Sequence, residues 1–201
     1  MGSKIDRSWY ENEDVTEIAK ALLGKRLCTR FDGQLTSGLI VETEAYSGTN
    51  DKACHANGQK MTKRNKVMFE AGGLAYIYLC YGIHHLFNVV TNVNGTADAV
   101  LIRALEPIDG IDVMLKRRKI TKIDRRLTAG PGVLSQALGI TTDAYGTALD
   151  GEKIWLEYGI KIAATDIVET TRIGVDYAEE DALKPWRYYI KENNWVSKYS
   201  Q

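Results

Sequence analysis

"LAYIYLCYGIHHLFNVVTNVNGTADAVLIRALEP", residues 74–107, reads as three successive strands. It is rich in β-branched and aromatic residues and broken by turn residues, the pattern of a meander. Gly82 marks one reversal, and Asn94-Gly95 is a residue pair that a tight hairpin turn favours. Working outward, "LTSGLIVETEAYSG" (35–48) begins as an apolar strand. "RLCTRF" (26–31) and the turn pair Asp32-Gly33 join it in a hairpin. Before them, "DVTEIAKALLG" (14–24) is a helix with Asp14 as cap, Glu17 where a capping box wants an acid, and Gly24 as its end. After the meander, Pro107 is expected to open a helix carrying Ile111, Met114 and Leu115. "AGPGVLSQALGI" (129–140) leads into a second short helix. "KIWLEY" (153–158), "IKIAAT" (160–165) and "PWRYYI" (185–190) are expected as further short strands. The reading is α+β: a single domain over 1–201 with a curved, mostly antiparallel sheet and flanking helices.

The chain has 201 residues, 44% hydrophobic and 26% charged, the balance of a globular protein with one sizeable core. Its formal net charge is zero, yet the charges are segregated. Lys116 to Arg126 holds seven basic residues and one acid, Asp124. Lys60, Lys63, Arg64 and Lys66 form a second basic group inside the polar, irregular stretch 48–66. A loop of that length in a compact domain is usually functional. Acids gather at Asp6–Glu17 and Asp176–Asp181, and such poles can steer a polyanion without net charge. Cys28, Cys54 and Cys80 lie 26 residues apart with no C-x-x-C pair, which argues against a disulfide framework or structural zinc. The start has no apolar core for a signal peptide, and the most apolar stretch is too polar for a membrane span. A cytoplasmic protein is expected, nucleoid-associated if bacterial and nuclear if eukaryotic.

The chemistry concentrates in 42–46. In a strand Ile40, Glu42, Glu44 and Tyr46 project to one face, with alternate residues roughly 6.5–7 Å apart. Two carboxylates at that spacing suit an inverting O-glycoside hydrolase. One alone suffices to deprotonate water for attack on an anomeric carbon whose leaving group departs by other means. A solvated strand edge carrying two idle acids also accounts for the pair. Tyr76 and Tyr78 share a face of the next strand, with Tyr76 expected in the core. Tyr81, at the bend, cannot bury itself easily and is placed to wedge between base pairs. His84 and His85 face opposite ways and cannot chelate a metal together; one is expected inside, the other near solvent or DNA. A non-catalytic nucleic-acid module accounts for the basic patches and aromatics while leaving the acids unused.

"GLIVETEAYSGTNDKACHA", "TKRNKVMF", "AYIYLCYGIHHLFNVV", "AVLIRALEP", "AGPGVLSQALGI", "TRIGVDYA" and "PWRYYIKENNWVS" occur in order. Together they resemble the alkyladenine (3-methyladenine) DNA glycosylase family in its mammalian type, over about residues 20–201. The resemblance implies a monofunctional enzyme, without metal or cofactor, that flips damaged purines from duplex DNA and hydrolyses the N-glycosidic bond. The lesions would be 3-methyladenine, 7-methylguanine, hypoxanthine and ethenoadenine. Glu44 matches the family's general base and Arg103 the arginine that positions water and nucleotide. Tyr46, His55 and Tyr78 match the groups that sandwich the extruded base, and Asn88 the residue opposing guanine's exocyclic amine. Tyr81 matches the side chain that fills the gap in the stack, flanked by Ile83, a position held by methionine in some members. Lys60, Lys63, Arg64 and Lys66 are expected on DNA. Lys63 stands where proline is common and Cys54 where alanine is. The expected partner is double-stranded DNA containing damaged purines, bound by a monomer.

Overall fold

The strand over Gln34–Ser47, β2, is the spine of the molecule. In the computed structural model, which describes residues 2–198, three strands pair along its two edges. One edge is shared by β1 (Arg26–Phe31), which pairs residues 34–39, and β8 (Arg187–Ile190), which pairs 42–44. The other edge is taken by β5 (Asp98–Asp109). Beyond β5 lie β4 (His84–Thr91) and β3 (Ala75–Cys80). β6 (Ile154–Glu157) adds to β1, and β7 (Ile167–Thr170) to β8. Every strand pairing is antiparallel, and the eight strands form one open, curved sheet.

Period-two alternation separates the two faces. Ile77, Phe87, Val89, Val100 and Ile102 join the principal core, where α1 (Val15–Ala21), α2 (Ile111–Arg118) and α3 (Pro131–Leu138) supply Ile18, Met114, Leu134 and Leu138. The alternate residues Tyr76, Val90 and Ala99 form a smaller cluster with Cys54 and Ala56 from the 48–66 loop and Val67, Met68 and Phe69 from the turn after it. Asp14 caps α1 by accepting from the amides of Thr16 and Glu17. Glu17 pairs with Lys20 at 2.6 Å. No helix among the described residues is long and apolar enough to cross a membrane.

Three local expectations fail. Pro107 lies within β5 opposite Gly38, and the helix begins four residues later, after Gly110. The reversal needs glycine there: its φ is +67°, and a Cβ would meet the Leu35 carbonyl oxygen at 2.2 Å. Residues 160–165 are not a strand. Ile160 makes one bond, its amide to the Gly24 carbonyl, and its side chain is exposed, so the apolar alternation meets no partner strand. The strand of this region is β7, further on. The β4–β5 connection runs over residues 92–97 rather than closing on Asn94-Gly95 alone. Asn92 takes a positive φ and ties its amide to Asp98 at 2.8 Å.

Candidate active site

Strand register assembles the site. Across the sheet Tyr76 stands opposite Asn88, Asn88 opposite Leu101, Leu101 opposite Glu44, and Glu44 opposite Arg187. Side chains of one such row point the same way, and here they point away from the principal core. A cavity of about 510 Å³ opens over them, within the range of small-ligand pockets. Glu44, Tyr46, His55, Arg64, Tyr78, Asn88 and Arg103 all line it; Glu42 does not.

Glu44 is fully buried from bulk solvent and is reached through the cavity. Its Oε1 accepts from the Ile173 amide at 2.8 Å and pairs with Arg103 Nη1 at 3.2 Å. Its Oε2 accepts from the Tyr46 hydroxyl at 2.8 Å. A carboxylate oxygen can accept two hydrogen bonds, so Oε2 keeps acceptor capacity for one more donor. Arg103 reaches back with Nε to Glu42 Oε1 at 3.0 Å. Burial works against its cation, but Glu44 and Glu42 hold its pKa above the ordinary arginine value. Burial likewise pushes the Glu42 carboxyl up, and the guanidiniums of Arg103 and Arg187 outweigh it, leaving Glu42 below the usual range. The expected common face for the two acids is present, but Arg103 lies between them. A paired-acid glycosidase needs both carboxyls open to the substrate, so that alternative is set aside.

One wall of the cavity is aromatic. His55 and Tyr78 meet edge to face with centroids 4.6 Å apart, and Tyr76 lies 5.6 Å from Tyr78. Tyr76 is in the core as expected, yet its hydroxyl bonds His55 Nδ1 at 2.7 Å and sets that ring's orientation. Desolvation of the ring by the cavity walls, with Arg64 nearby, lowers the His55 pKa to about 4, although the residue as a whole is exposed to solvent, which weakens the effect. The ring is therefore neutral near pH 7. Asn88 donates Nδ2 to the carbonyls of Tyr76 and Leu86, at 3.1 and 3.4 Å.

Arg172 received no role from the sequence, yet it ties three walls together. It forks onto Asp51 at 2.5 and 2.7 Å, donates to the carbonyls of Ala45 and Asp181, and lies 4.8 Å from the Tyr46 ring centre. Its neighbour Ile173 supplies the amide on Glu44. Only the "TRIGVDYA" block signalled this segment; no spacing links residue 172 to residue 44.

At the mouth, Tyr81 is 92% and Ile83 70% exposed, at the tip of the β3–β4 hairpin. Lys60, Lys63 and Lys66 are exposed and form no ion pair among the described residues. Arg64 is exposed and likewise forms no ion pair among the described residues, but its guanidinium leans over the Tyr78 ring at 4.9 Å and it also lines the cavity. His84 is exposed beside Gly132, and His85 is half-buried, accepting from the Thr142 amide at 3.2 Å. Neither histidine is inside, because the hairpin tip projects past the core.

A single buried carboxylate in a cavity with an aromatic wall, and an exposed aromatic at its rim, suits a DNA glycosylase acting on an extruded base. Comparison with known proteins narrows the class. Residues 8–194 match the model of the methylpurine-DNA glycosylase (MPG) family, and the chain belongs to that family. It is 47% identical over 187 residues to a protein of Chlamydia felis, covering 92% of this chain and 95% of the relative. A relative from Alkaliphilus oremlandii is 43% identical over 202 residues, covering 97% and 99%. One from Bacillus cereus is 46% identical over 200 residues, covering 95% and 97%. All three carry the name "Putative 3-methyladenine DNA glycosylase".

Proposed function

We propose that the enzyme removes damaged purines from duplex DNA by hydrolysing the N-glycosidic bond, and that Glu44 is the general base. The observation that carries this reading is the Glu44 carboxylate beneath an aromatic-lined cavity, with acceptor capacity left on Oε2. In the reaction Glu44 takes a proton from water, the water oxygen bonds to C1′, and the C1′–N bond breaks with its electron pair going to the base. Arg103 holds the carboxylate and the water. No lysine lines the cavity, which suits hydrolysis rather than attack by an amine.

Tyr46 and the Tyr78–His55 wall receive the flipped base. Stacking is worth about 1–3 kcal/mol per base, enough to offset a flip that costs a few kcal/mol. Purines alkylated at N3 or N7 are cationic and gain further over aromatic faces; a neutral His55 puts no second charge against them. The lesions in this reading are 3-methyladenine, 7-methylguanine, hypoxanthine and ethenoadenine, with Asn88 disfavouring normal guanine by opposing its exocyclic amine. Tyr81 and Ile83 fill the vacated stack, and Lys60, Lys63 and Lys66 meet phosphates. The test is incubation with duplexes carrying one such lesion, scored as abasic sites by alkaline cleavage. Absence of released base from every lesion duplex would refute the reading.

A further inference from the structure

Glu42 is the buried acid that this reaction leaves without a part. It is closed off from the cavity, yet four donors converge on it. Its Oε1 accepts from Arg103 Nε at 3.0 Å, Arg187 Nε at 2.7 Å and Ser197 Oγ at 2.8 Å. Its Oε2 accepts from the Ser197 amide at 2.7 Å. The segment carrying Ser197 is itself fixed: Trp195 packs on the core, and Asn193 bonds Glu106 at 2.9 Å.

We propose that Glu42 is a positioning residue that acts through Arg103, and that the C-terminal segment ending at Ser197 completes its hold. The argument is geometric. A guanidinium beside a carboxylate prefers a two-bonded fork. Were Arg103 free to close that fork on Glu44, both carboxylate oxygens would be engaged and the site for water on Oε2 lost. With Nε held by Glu42, Arg103 meets Glu44 through a single ion-pair contact on Oε1, the oxygen already bonded to the Ile173 amide. Charge agrees with geometry. Glu42 and Glu44 balance Arg103 and Arg187 within the buried set, and without Glu42 the surplus cation would draw Arg103 onto Glu44. A neutral glutamine at 42 cannot reproduce the arrangement. Its amide nitrogen would face the Ser197 N–H, donor against donor.

The inference rests on the proposed glycosylase reading, and the test separates the two. If the wild-type chain releases no base, that reading fails; the inference is judged on variants of an active chain. Glu42→Gln should lower the single-turnover rate by about 10- to 100-fold, the scale of an ångström-sized misplacement, while affinity for an abasic-site duplex changes less than about threefold. In an Arg103→Gln background the same substitution should cost nothing further, because residues acting as one unit are non-additive. Ser197→Pro removes both Ser197 donors at the edge of the fold and keeps the test open if Glu42→Gln fails to fold. Its rate should fall about three- to tenfold with unchanged duplex affinity, the milder form of the same misplacement. A wild-type rate in Ser197→Pro, equal losses in rate and affinity for Glu42→Gln, or losses that multiply in the double variant would each overturn the proposal.

Discussion

Glu44 meets Ile173 and Tyr46 through hydrogen bonds and Arg103 through an ion pair, so removing its charge while keeping its shape is the cleanest probe of its role. Glu44→Gln is expected to lower base release by at least ~10²-fold, the usual contribution of a general base, with duplex binding retained. Retention of the full rate would remove Glu44 from the mechanism. His55 gives a second expectation, on stability. Unfolded, it titrates near the ordinary 6.5; folded, it resists protonation down to about 4. Between those values the unfolded chain binds the extra proton, so stability rises with pH across the window. The contribution is full above 6.5 and declines as pH falls toward 4, damped by the solvent at the ring's open edge. Urea midpoints at pH 7.5 and 5 should therefore fall further in the wild type than in His55→Gln; equal falls would mean the ring is not held neutral. Glu44 and Tyr46 were legible because strand alternation names a face. Arg172 was not, because a buried pair joining residues 51 and 172 leaves no local pattern.

The β3–β4 hairpin carries a backbone cost at its tip that its own packing does not offset. Tyr81 and Gly82 occupy left-handed backbone, φ +50° and +72°, and the Ile83 amide closes the turn on the Cys80 carbonyl at 3.2 Å. Two consecutive positive φ values are the mark of a type I′ turn, which favours Asn-Gly there. A tyrosine in that conformation costs about 1–2 kcal/mol, and 92% exposure returns no burial for it. Tyr81→Gly should therefore leave the thermal midpoint equal or higher while weakening affinity for a lesion duplex. A lowered midpoint would show that Tyr81 supports the fold instead of the DNA contact. The reversal at Gly82 was legible from residue type. The ends of neighbouring elements were less so: Pro107 resembles a helix start, but β5 continues past it because the pairing with β2 persists to Asp109. Tertiary pairing overrode the local signal. Residues 160–165 fail for the complementary reason, a strand-like pattern that pairs with no strand among the described residues, the Ile160 amide bonding the Gly24 carbonyl instead.

For the whole molecule, a formal charge of zero conceals an uneven surface. Lys60, Lys63 and Lys66 stand exposed on the loop that also carries His55 into the cavity wall, whereas acids such as Glu179 and Glu180 pair with Lys52 at 2.6 and 2.8 Å. The sequence displayed this basic group but not that Arg64, exposed like the lysines, lies over the Tyr78 ring, since only the folded loop brings residue 64 to residue 78. DNA affinity should then depend steeply on salt despite the neutral total, because each lysine that neutralises a phosphate releases a condensed counterion. Replacing Lys60, Lys63 and Lys66 together by glutamine should flatten the plot of log affinity against log salt by about one unit for each lysine that meets a phosphate. Damaged and undamaged duplexes should lose affinity in parallel, since phosphate contacts carry no information about the base. The same measurement on Arg64→Gln should leave the slope nearly unchanged and weaken only the damaged duplex, because that side chain lies against Tyr78, the ring proposed to receive the base. An Arg64→Gln slope that fell like the lysine variant's would return Arg64 to the phosphate-binding set and remove it from the cavity wall.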